Sequence, residues 1–276
     1  MDDAEILTRS DLSLWEFHRD FARRGGGAVL EDRGLLCYAG LHPLPAYVNG
    51  VWRTGEVEPA DLLARADEFF GRRRRGYTIW IREHADGDLE QALREARLPL
   101  YDDSPGMVLD RRLEDAPLAP GVVVRRVADA TGGSDFATVA GAAYASLGMR
   151  DGTAPVLFAR IDTLVAPHLA AFVAYDPSNT TSEMSVTPAG PRPVAATLLH
   201  MNHGVALLNW VGTVPDARGR GLAATMTRIA SNAGFDAGCV IASLQATEMG
   251  EPVYRRLGYR EITRYRGYIR LHASTP

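Results

Sequence analysis

The sequence contains no lysine, and all 30 of its basic residues are arginines. Schiff-base chemistry and any catalysis by a lysine amine are therefore excluded. A Walker phosphate-binding loop is excluded for the same reason, because it needs a lysine beside its last glycine. A GC-rich genome is the simplest explanation for this preference, and no functional cause is required.

Cysteine and long apolar runs are also scarce. Cys37 and Cys239 form neither a CxxC pair nor a Cys/His cluster, so neither a disulfide framework nor a zinc site is predicted, and no metal is expected. No run approaches the roughly 18 apolar residues of a membrane span, and no apolar signal segment follows the acidic start Met-Asp-Asp-Ala-Glu. We expect a cytoplasmic protein with no membrane partner.

A strong charge bias is missing as well. The chain is 46% hydrophobic and 23% charged, with a net charge of −4 over 276 residues, which is typical of a folded protein with one large or two ordinary domains. No nucleic-acid partner is expected. Residues 1–115 carry 16 arginines against 23 acidic residues, and residues 116–276 carry 14 against 11, so the second half is the basic one.

The run Arg72 to Arg75 could attract nucleic acid or phospholipid. It follows an acidic amphipathic helix and precedes a strand. We interpret it as the solvated end of that helix, where arginine complements the helix dipole.

The spacing of apolar residues predicts a mixed α and β protein in two domains, 1–115 and 116–276, joined by a Pro-rich linker. The order helix, strand, helix, strand occurs at 60–70, 77–82, 88–98 and 106–110. It recurs at 221–235, 240–245, 251–257 and 265–271, which indicates an internal duplication. The second half also contains predicted helices at 134–147 and 155–165, and a loop or hairpin tip at 176–193.

The most informative stretch runs from Asn209 to Ala224 and is predicted to be a strand end, a tight loop and a helix start. A helix start leaves backbone N–H groups without partners and carries a partial positive charge, so it attracts anions. Gly219 and Gly221 have no side chain to keep a phosphate away, and Arg218 and Arg220 would add donors suited to its oxygens. In the first half the corresponding segment, 55–59, is acidic and lacks the paired glycines, so this anion site is absent there.

Two motifs give the second half a family resemblance. Arg218-Gly219-Arg220-Gly221-Leu222-Ala223 is similar to the acyl-CoA loop of the GCN5-related N-acetyltransferases (GNAT), Gln/Arg-x-x-Gly-x-Gly/Ala. About 30 residues later, the segment from Thr247 to Tyr259 resembles the second signature of that family, in which a tyrosine, here Tyr254, precedes a Gly-Phe/Tyr pair by four residues. The resemblance covers roughly 120–272. By element order alone it extends to a degenerate copy in 1–115, as in tandem members such as mycothiol synthases.

The resemblance implies an α+β fold with a mixed, splayed β-sheet flanked by helices, in two tandem copies. It implies an acetyl-CoA:amine N-acetyltransferase, or a transferase of another short acyl group, whose acceptor is a small-molecule or peptide amine. The pantetheine arm of the donor would lie between strands 205–213 and 240–245, and Tyr254 would be the general acid for the departing thiolate. The residues implied in binding acetyl-CoA are Val211, Gly212, Thr213, Arg218, Gly219, Arg220, Gly221, Leu222, Ala223, Ala224 and Thr247, the last standing where the family often has asparagine.

The general base and the acceptor are less defined. Strand 205–213 lacks the acidic residue that many members use to deprotonate the amine, and no base is assigned among the nearby polar residues His200, His203 and Asn209. The acceptor is expected against helices 134–147 and 155–165, near Tyr144, Met149, Phe158 and Tyr175 and under the 176–193 segment or in an interdomain cleft.

Two other functions stay open. Gly219 to Ala224 also fits G-x-G-x-x-A, a dinucleotide fingerprint, but Ser243 and Leu244 stand where an acid should hold the ribose, and the loop opens no βαβ unit at a domain start. Alternatively, the chain is a non-catalytic acyl-CoA sensor or assembly partner. Whether it forms a homodimer is also open.

Overall fold

The computed structural model describes residues 1–46, 48–177 and 191–272. Most of the predicted loop or hairpin tip at 176–193 lies outside these residues. No helix among them combines the length and the apolar character needed to cross a bilayer.

The described residues form seven α-helices and twelve strands. The helices are α1 (Asp3–Arg24), α2 (Pro59–Gly71), α3 (Gly87–Glu95), α4 (Ala130–Tyr144), α5 (Thr153–Leu157), α6 (Leu222–Asp236) and α7 (Glu251–Leu257). The strands are β1 (Ala28–Asp32), β2 (Leu35–Ala39), β3 (Asn49–Arg53), β4 (Tyr77–Arg82), β5 (Leu100–Leu109), β6 (Val123–Arg126), β7 (Val165–Ala166), β8 (Leu169–Asp176), β9 (Arg192–Asn202), β10 (Val205–Thr213), β11 (Ile241–Gln245) and β12 (Arg260–Arg270).

The helix predicted at 155–165 is wrong. Only α5 is α-helical there, and a 3-10 turn (Ile161–Thr163) and the short β7 follow it. Gly152 provides no side-chain cap at the start of α5. A helix of five residues has few backbone bonds to offset the cost of nucleation, so tertiary packing decides its length.

The chain divides into two compact units, and the first comprises Met1–Met107, Gln245–Glu248 and Glu261–Pro276. Its strand order is β1-β2-β3-β4-β12-β5. The last strand of the chain thus belongs with the first half: β12 pairs antiparallel with β4, from Tyr265 opposite Arg82 to Arg270 opposite Tyr77. The predicted domain boundary between residues 115 and 116 stays a prediction. The two units are grouped by spatial contacts and each combines separate segments of the chain, so they do not test a boundary that was drawn along the sequence.

The second unit comprises Val108–Leu244 and Met249–Arg260. Its strand order is β11-β10-β9-β8-β6, with β7 on β8. Gly212 pairs with Ala196 of β9, and Ala206 pairs with Met201. On β9, Ala196 and Met201 are an odd number of residues apart and so point to opposite faces of the sheet, and their partners Gly212 and Ala206 do the same. Gly212 lies against α4 and Ala206 lies against α6, so these two helices cover opposite faces.

Both units share one plan, as the predicted duplication requires. In each unit, antiparallel strands are followed by a helix and then by a strand that pairs in parallel with the strand before the helix. This parallel pairing covers only two or three residue pairs. In the first unit, β3 and β4 pair at Gly50–Thr78 and Val51–Ile79, and α2 connects them. In the second, β10 and β11 pair over 205–207 and 241–243, and α6 connects them. The mixed, splayed fold class is therefore confirmed.

The arginine run at 72–75 is largely engaged within the first unit. Arg72 pairs with Glu68, and the Arg73 guanidinium lies 3.8 Å from the centre of the Phe69 ring. Arg75 donates to the carbonyl oxygens of Gly40 and Leu41. These contacts agree with the interpretation of the run as the end of a helix.

Candidate active site

The central feature of the second unit is the gap between β10 and β11. The parallel pairing of these strands ends at Leu207 and Ser243, although β10 continues to Thr213. A bulge between Asn209 and Gly212 interrupts the register of β10 with β9, and Trp210 takes a positive φ of 54°. Bulges and residues in strained conformations concentrate at functional sites. The outer half of β10 therefore has an edge free of β11, where an extended ligand could pair with its main chain.

The predicted loop and helix start lie at the end of this gap. Gly219 and Gly221 both have a left-handed φ, 77° and 76°, and a Cβ added to either would meet no atom within 4 Å. Glycine is needed at such φ values, and the space beside both residues is open. The first bond within α6 runs from the Thr225 N–H to the Gly221 oxygen at 3.0 Å.

The N–H groups of Leu222, Ala223 and Ala224 precede that bond. Gly221, the N-cap residue, supplies no side-chain acceptor for them. A helix start in this state carries partial positive charge and free donors. The geometry thus fits an anion such as a diphosphate, and the sequence predicts an anion site at the same residues.

Arg218 is placed differently from the prediction for its side chain. Its Nε donates to the Thr213 oxygen at 3.3 Å, and its Nη2 donates to the Ala143 oxygen and to Ser146 Oγ, both at 3.1 Å. Its backbone N–H donates to the Pro215 oxygen at 3.3 Å. The Arg218 guanidinium is therefore bound to the protein's own acceptors at the ends of β10 and α4.

Arg220 is more accessible, with 39% of its side chain exposed. Its Nη1 donates to Asp176 Oδ2 at 2.5 Å, and only 4% of the Asp176 side chain is exposed. A second ion pair joins Asp216 of this loop to Arg192 at the start of β9. Arg220 is thus a cation near the loop whose present partner is a carboxylate.

Tyr254 lies on α7, and it is 7% exposed. Its ring centre is 6.0 Å from that of Tyr259, whose hydroxyl is 2.7 Å from Ser231 Oγ on α6. The helix ends at Gly258 with φ 95°, and the Tyr259 N–H donates to the Tyr254 oxygen at 3.0 Å. The Gly-Tyr pair of the second signature is therefore the C-terminal cap of α7, and it fixes Tyr254 one turn earlier.

The Tyr254 hydroxyl has no hydrogen-bond partner among residues 1–46, 48–177 and 191–272, whereas that of Tyr259 has one. Burial raises the pKa of Tyr254 above its usual value. Desolvation disfavours the phenolate, so this side chain remains a neutral donor throughout the physiological range. A buried phenol with an uncommitted hydroxyl can donate to a developing anion.

An aromatic wall, which we define as Tyr144, Phe158 and Trp210, lies beside the bulge. The Trp210 ring centre is 5.0 Å from that of Tyr144 and 5.2 Å from that of Phe158. Burial raises the pKa of Tyr144, and Tyr254 raises it further, so the two hydroxyls lie within electrostatic reach of each other. The wall contains two of the four residues expected near the acceptor.

The other two residues are not part of this wall, although Met149 lies next to it. Met149 is buried, and its N–H donates to the Tyr144 oxygen. The Tyr175 hydroxyl donates a hydrogen bond to Asp135 Oδ2 at 2.7 Å. Tyr175 also lines a separate cavity of about 170 Å³ at the N-terminal end of α4.

The three polar candidates for a base are also placed. His200 is 1% exposed, and its ring centre is 5.0 Å from that of His168. His203 forms the β9–β10 turn with Gly204, both at positive φ. The Asn209 amide is 3.5 Å from the Leu207 oxygen. The burial of His200 and the turn position of His203 give neither histidine the setting of a base, so the structure adds no reason to assign one.

Other predicted residues occupy varied positions. Thr213 Oγ1 is buried and has no partner among the residues that the structure describes, so it can bind a ligand at the end of β10. Val211 follows the bulge residue Trp210. Thr247 is half-buried two residues after β11. Sequence reasoning missed Trp210 and Asp176, because a bulge and a paired carboxylate leave no local signal.

Comparisons with known proteins place this fold. No protein-family model matches the sequence, and no curated protein matches it. Among solved structures, a GCN5-related N-acetyltransferase from Kribbella flavida is similar over 94% of this chain and 95% of its own, at 18% identity and a TM-score of 0.68. A GCN5-related N-acetyltransferase from Sphaerobacter thermophilus is similar over 88% of this chain and 75% of its own, at 16% identity and a TM-score of 0.58.

A tandem GNAT protein from the clavulanic acid biosynthesis pathway is similar over 91% of this chain and 80% of its own, at 12% identity and a TM-score of 0.55. Identities this low show the fold and leave the reaction open. The chain has the GCN5-related N-acetyltransferase fold, and the predicted resemblance is confirmed at that level.

Proposed function

We propose that the second unit binds acetyl-CoA and transfers its acetyl group to the amine of a small molecule or peptide. The observation that carries this proposal is the continuous path from the free edge of β10 to the start of α6. It offers main-chain groups for an extended amide chain, followed by a glycine loop and uncapped N–H groups for a diphosphate. Acetyl-CoA has these two parts in this order.

The reaction needs an attacking nitrogen, a stabilised carbonyl oxygen and a stabilised leaving group. The amine nitrogen bonds to the thioester carbon, the carbon–sulfur bond breaks, and the electron pair leaves on sulfur. A thiol has a pKa of about 8.5, well below that of a buried tyrosine, so Tyr254 would act mainly by hydrogen bonding to the thiolate. A β10 amide near Val211 would polarise the carbonyl, and the amine proton would leave to water.

The first test is binding followed by turnover. Saturation with coenzyme A at about 100 times its Kd should add about 2.7 kcal/mol to the free energy of unfolding, which thermal denaturation would register as a higher Tm. Release of free thiol from acetyl-CoA should then be followed over amino acids, polyamines, aminoglycosides and peptides. Absence of any stabilisation by coenzyme A would exclude the proposal. Binding without turnover on every amine would favour a non-catalytic acyl-CoA sensor.

The ion pair between Arg220 and Asp176 gives a prediction on affinity. Arg220→Gln is expected to raise the Kd for coenzyme A about tenfold or more, because a charge-assisted hydrogen bond contributes roughly 1.5–3 kcal/mol. Asp176→Asn should lower the Kd, because it removes a negative charge beside the diphosphate. Isothermal titration at low salt measures both.

Arg160→Gln is the control for this prediction, since Arg160 pairs with Asp162 on the surface. Its Kd should equal that of the wild type. Equal affinities of the Arg220→Gln protein and this control would contradict the assignment of Arg220.

Dinucleotide binding is the weaker candidate. The loop does open a parallel βαβ unit, β10–α6–β11, so the absence of such a unit no longer argues against it. Ser243 and Leu244 still stand where the fingerprint requires an acid, and the strands separate after three residue pairs. A titration with NAD beside coenzyme A would distinguish the two ligands.

A further inference from the structure

Arg218 begins the glycine motif, yet its side chain contacts the ends of β10 and α4. One planar guanidinium joins the last residue of β10 to the end of α4, because it donates to the carbonyl oxygens of Thr213 and Ala143 and to Ser146 Oγ at 3.1–3.3 Å. The free carbonyls at a helix C-terminus carry partial negative charge, so a cation there is stabilising. The contact therefore links two elements that the chain separates by about 70 residues.

The end of α4 is close to the reacting centre of the proposed reaction. A Cβ on Gly212 would lie 2.7 Å from the Ala143 Cβ and 3.6 Å from the Tyr144 ring. The Tyr144 ring centre in turn lies 5.0 Å from that of Trp210 at the bulge. A small displacement at the end of α4 would move Tyr144 relative to the free edge of β10.

In the chain, Arg218 is followed by the glycine loop and the start of α6, residues 219–224, which we call the anion cradle. Gly219 and Gly221 of this cradle both occupy open space at left-handed φ. An anion bound to the uncapped N–H groups of α6 would restrict the conformations of this loop. Because the loop begins at Arg218, its guanidinium would be held more firmly on Thr213 and Ala143.

We infer that Arg218 is a positioning residue that couples occupation of the anion cradle to the placement of Tyr144 at the end of α4. It would not be a phosphate ligand, although the motif suggests one. The inference rests on the proposed function only for the identity of the anion, the diphosphate of coenzyme A. Its consequence is an order of binding, in which the donor arranges the wall that the acceptor amine meets.

Arginine suits this role better than lysine. Its planar fork presents several donors in fixed directions and can contact two carbonyl oxygens at once, whereas an ammonium on a flexible stem acts as a single point charge. Coupling should therefore depend on the guanidinium itself and not on positive charge alone.

The test is hydrogen–deuterium exchange of the full-length protein, with and without coenzyme A at saturation. In the wild type, coenzyme A should slow exchange of the amides in 140–149 by about 5- to 150-fold, the usual range for coupled sites. In Arg218→Gln, coenzyme A should still bind and still protect the start of α6, while protection at 140–149 is lost. Arg218→Lys should recover only part of it.

Arg192→Gln is the matched control, because Arg192 at the start of β9 is an arginine that pairs with the exposed Asp216 in the segment just before Arg218. It should retain the full effect at 140–149. Because each protein is compared with itself, general loss of stability does not mimic the result. If the Arg218→Gln protein does not fold, the Arg218→Lys protein decides the question.

The remaining outcomes contradict the inference. It is wrong if Arg218→Gln or Arg218→Lys keeps full protection at 140–149, or if the wild type binds coenzyme A without any change there. Failure of the wild type to bind coenzyme A would instead remove the proposed function. The two failures are therefore distinguishable in one experiment.

Discussion

Replacement of Tyr254 by phenylalanine is expected to lower kcat for acetyl transfer by about 10²- to 10³-fold, the usual cost of removing one hydrogen-bond donor to a developing anion. The affinity for coenzyme A should not change, because the hydroxyl would act on the thiolate that forms during the reaction and not on the bound thioester. The measurement is thiol release with the best amine from the panel, together with a binding isotherm.

Tyr259→Phe is the matched control for this prediction. The rings of Tyr254 and Tyr259 are 6.0 Å apart, and burial raises the pKa of both. The hydroxyl of Tyr259 is bonded to Ser231, so its loss should cost about 0.5–1.5 kcal/mol of stability and leave kcat nearly unchanged. Equal kcat values for the two variants would show that Tyr254 is a packing residue.

The raised pKa of Tyr254 also gives a prediction for how kcat depends on pH. Because burial shifts the pKa upward, the hydroxyl keeps its proton at and above pH 10, where an exposed tyrosine would begin to lose it. Ionisation of Tyr254 should therefore cause no loss of kcat below about pH 10. A falling limb near pH 8 that disappears in Tyr254→Phe would contradict this account.

The second large effect is on stability and concerns Asp11 of α1 in the first unit. Its side chain is 6% exposed and accepts hydrogen bonds from Arg82 at 2.9 Å and from the Tyr265 hydroxyl at 3.0 Å. His84 Nε2 lies 3.1 Å from the same carboxylate. One buried group thus joins α1 to β4 and to the last strand, β12.

Asp11→Ala is expected to lower the free energy of unfolding of this unit by about 1–3 kcal/mol or more, because it leaves the buried Tyr265 hydroxyl and one nitrogen of Arg82 without an acceptor. Burial alone would lower the pKa of Arg82, but Asp86 and Asp11 together raise it. Arg82 therefore stays charged, and in the variant it keeps Asp86 as its partner while its third nitrogen loses an acceptor. Urea denaturation followed by the fluorescence of the first-unit tryptophans would measure it, as a shift of the transition midpoint.

Glu5→Ala on the same helix is the control. Glu5 pairs with Arg9, and 48% of its side chain is exposed, so the expected change is below about 1 kcal/mol. If Asp11→Ala shifted the midpoint no more than Glu5→Ala, the Asp11 cluster would not be a principal support of the first unit.

The local part of the fold was readable from the sequence. Gly219, Gly221 and the apolar spacing after them predicted the loop and α6, and the pattern of apolar residues predicted a helix at 251–257, which is α7. The repeated order of helices and strands predicted the duplication. These features depend on the φ preferences of glycine and on residues a few positions apart, so a short window contains their cause.

Tertiary structure alone decided the rest. The bulge at Trp210, the early end of the β10–β11 pairing, the attachment of Arg218 to α4 and the place of β12 beside β4 all join residues far apart in the chain. The length of α5 was set in the same way, by packing instead of by its own sequence. Which distant groups meet is determined by the packing of whole elements, and a pattern along the chain cannot specify a partner dozens of residues away. The sequence thus determined the glycine loop before α6 and the position of Tyr254 on α7, and the fold decided what surrounds them.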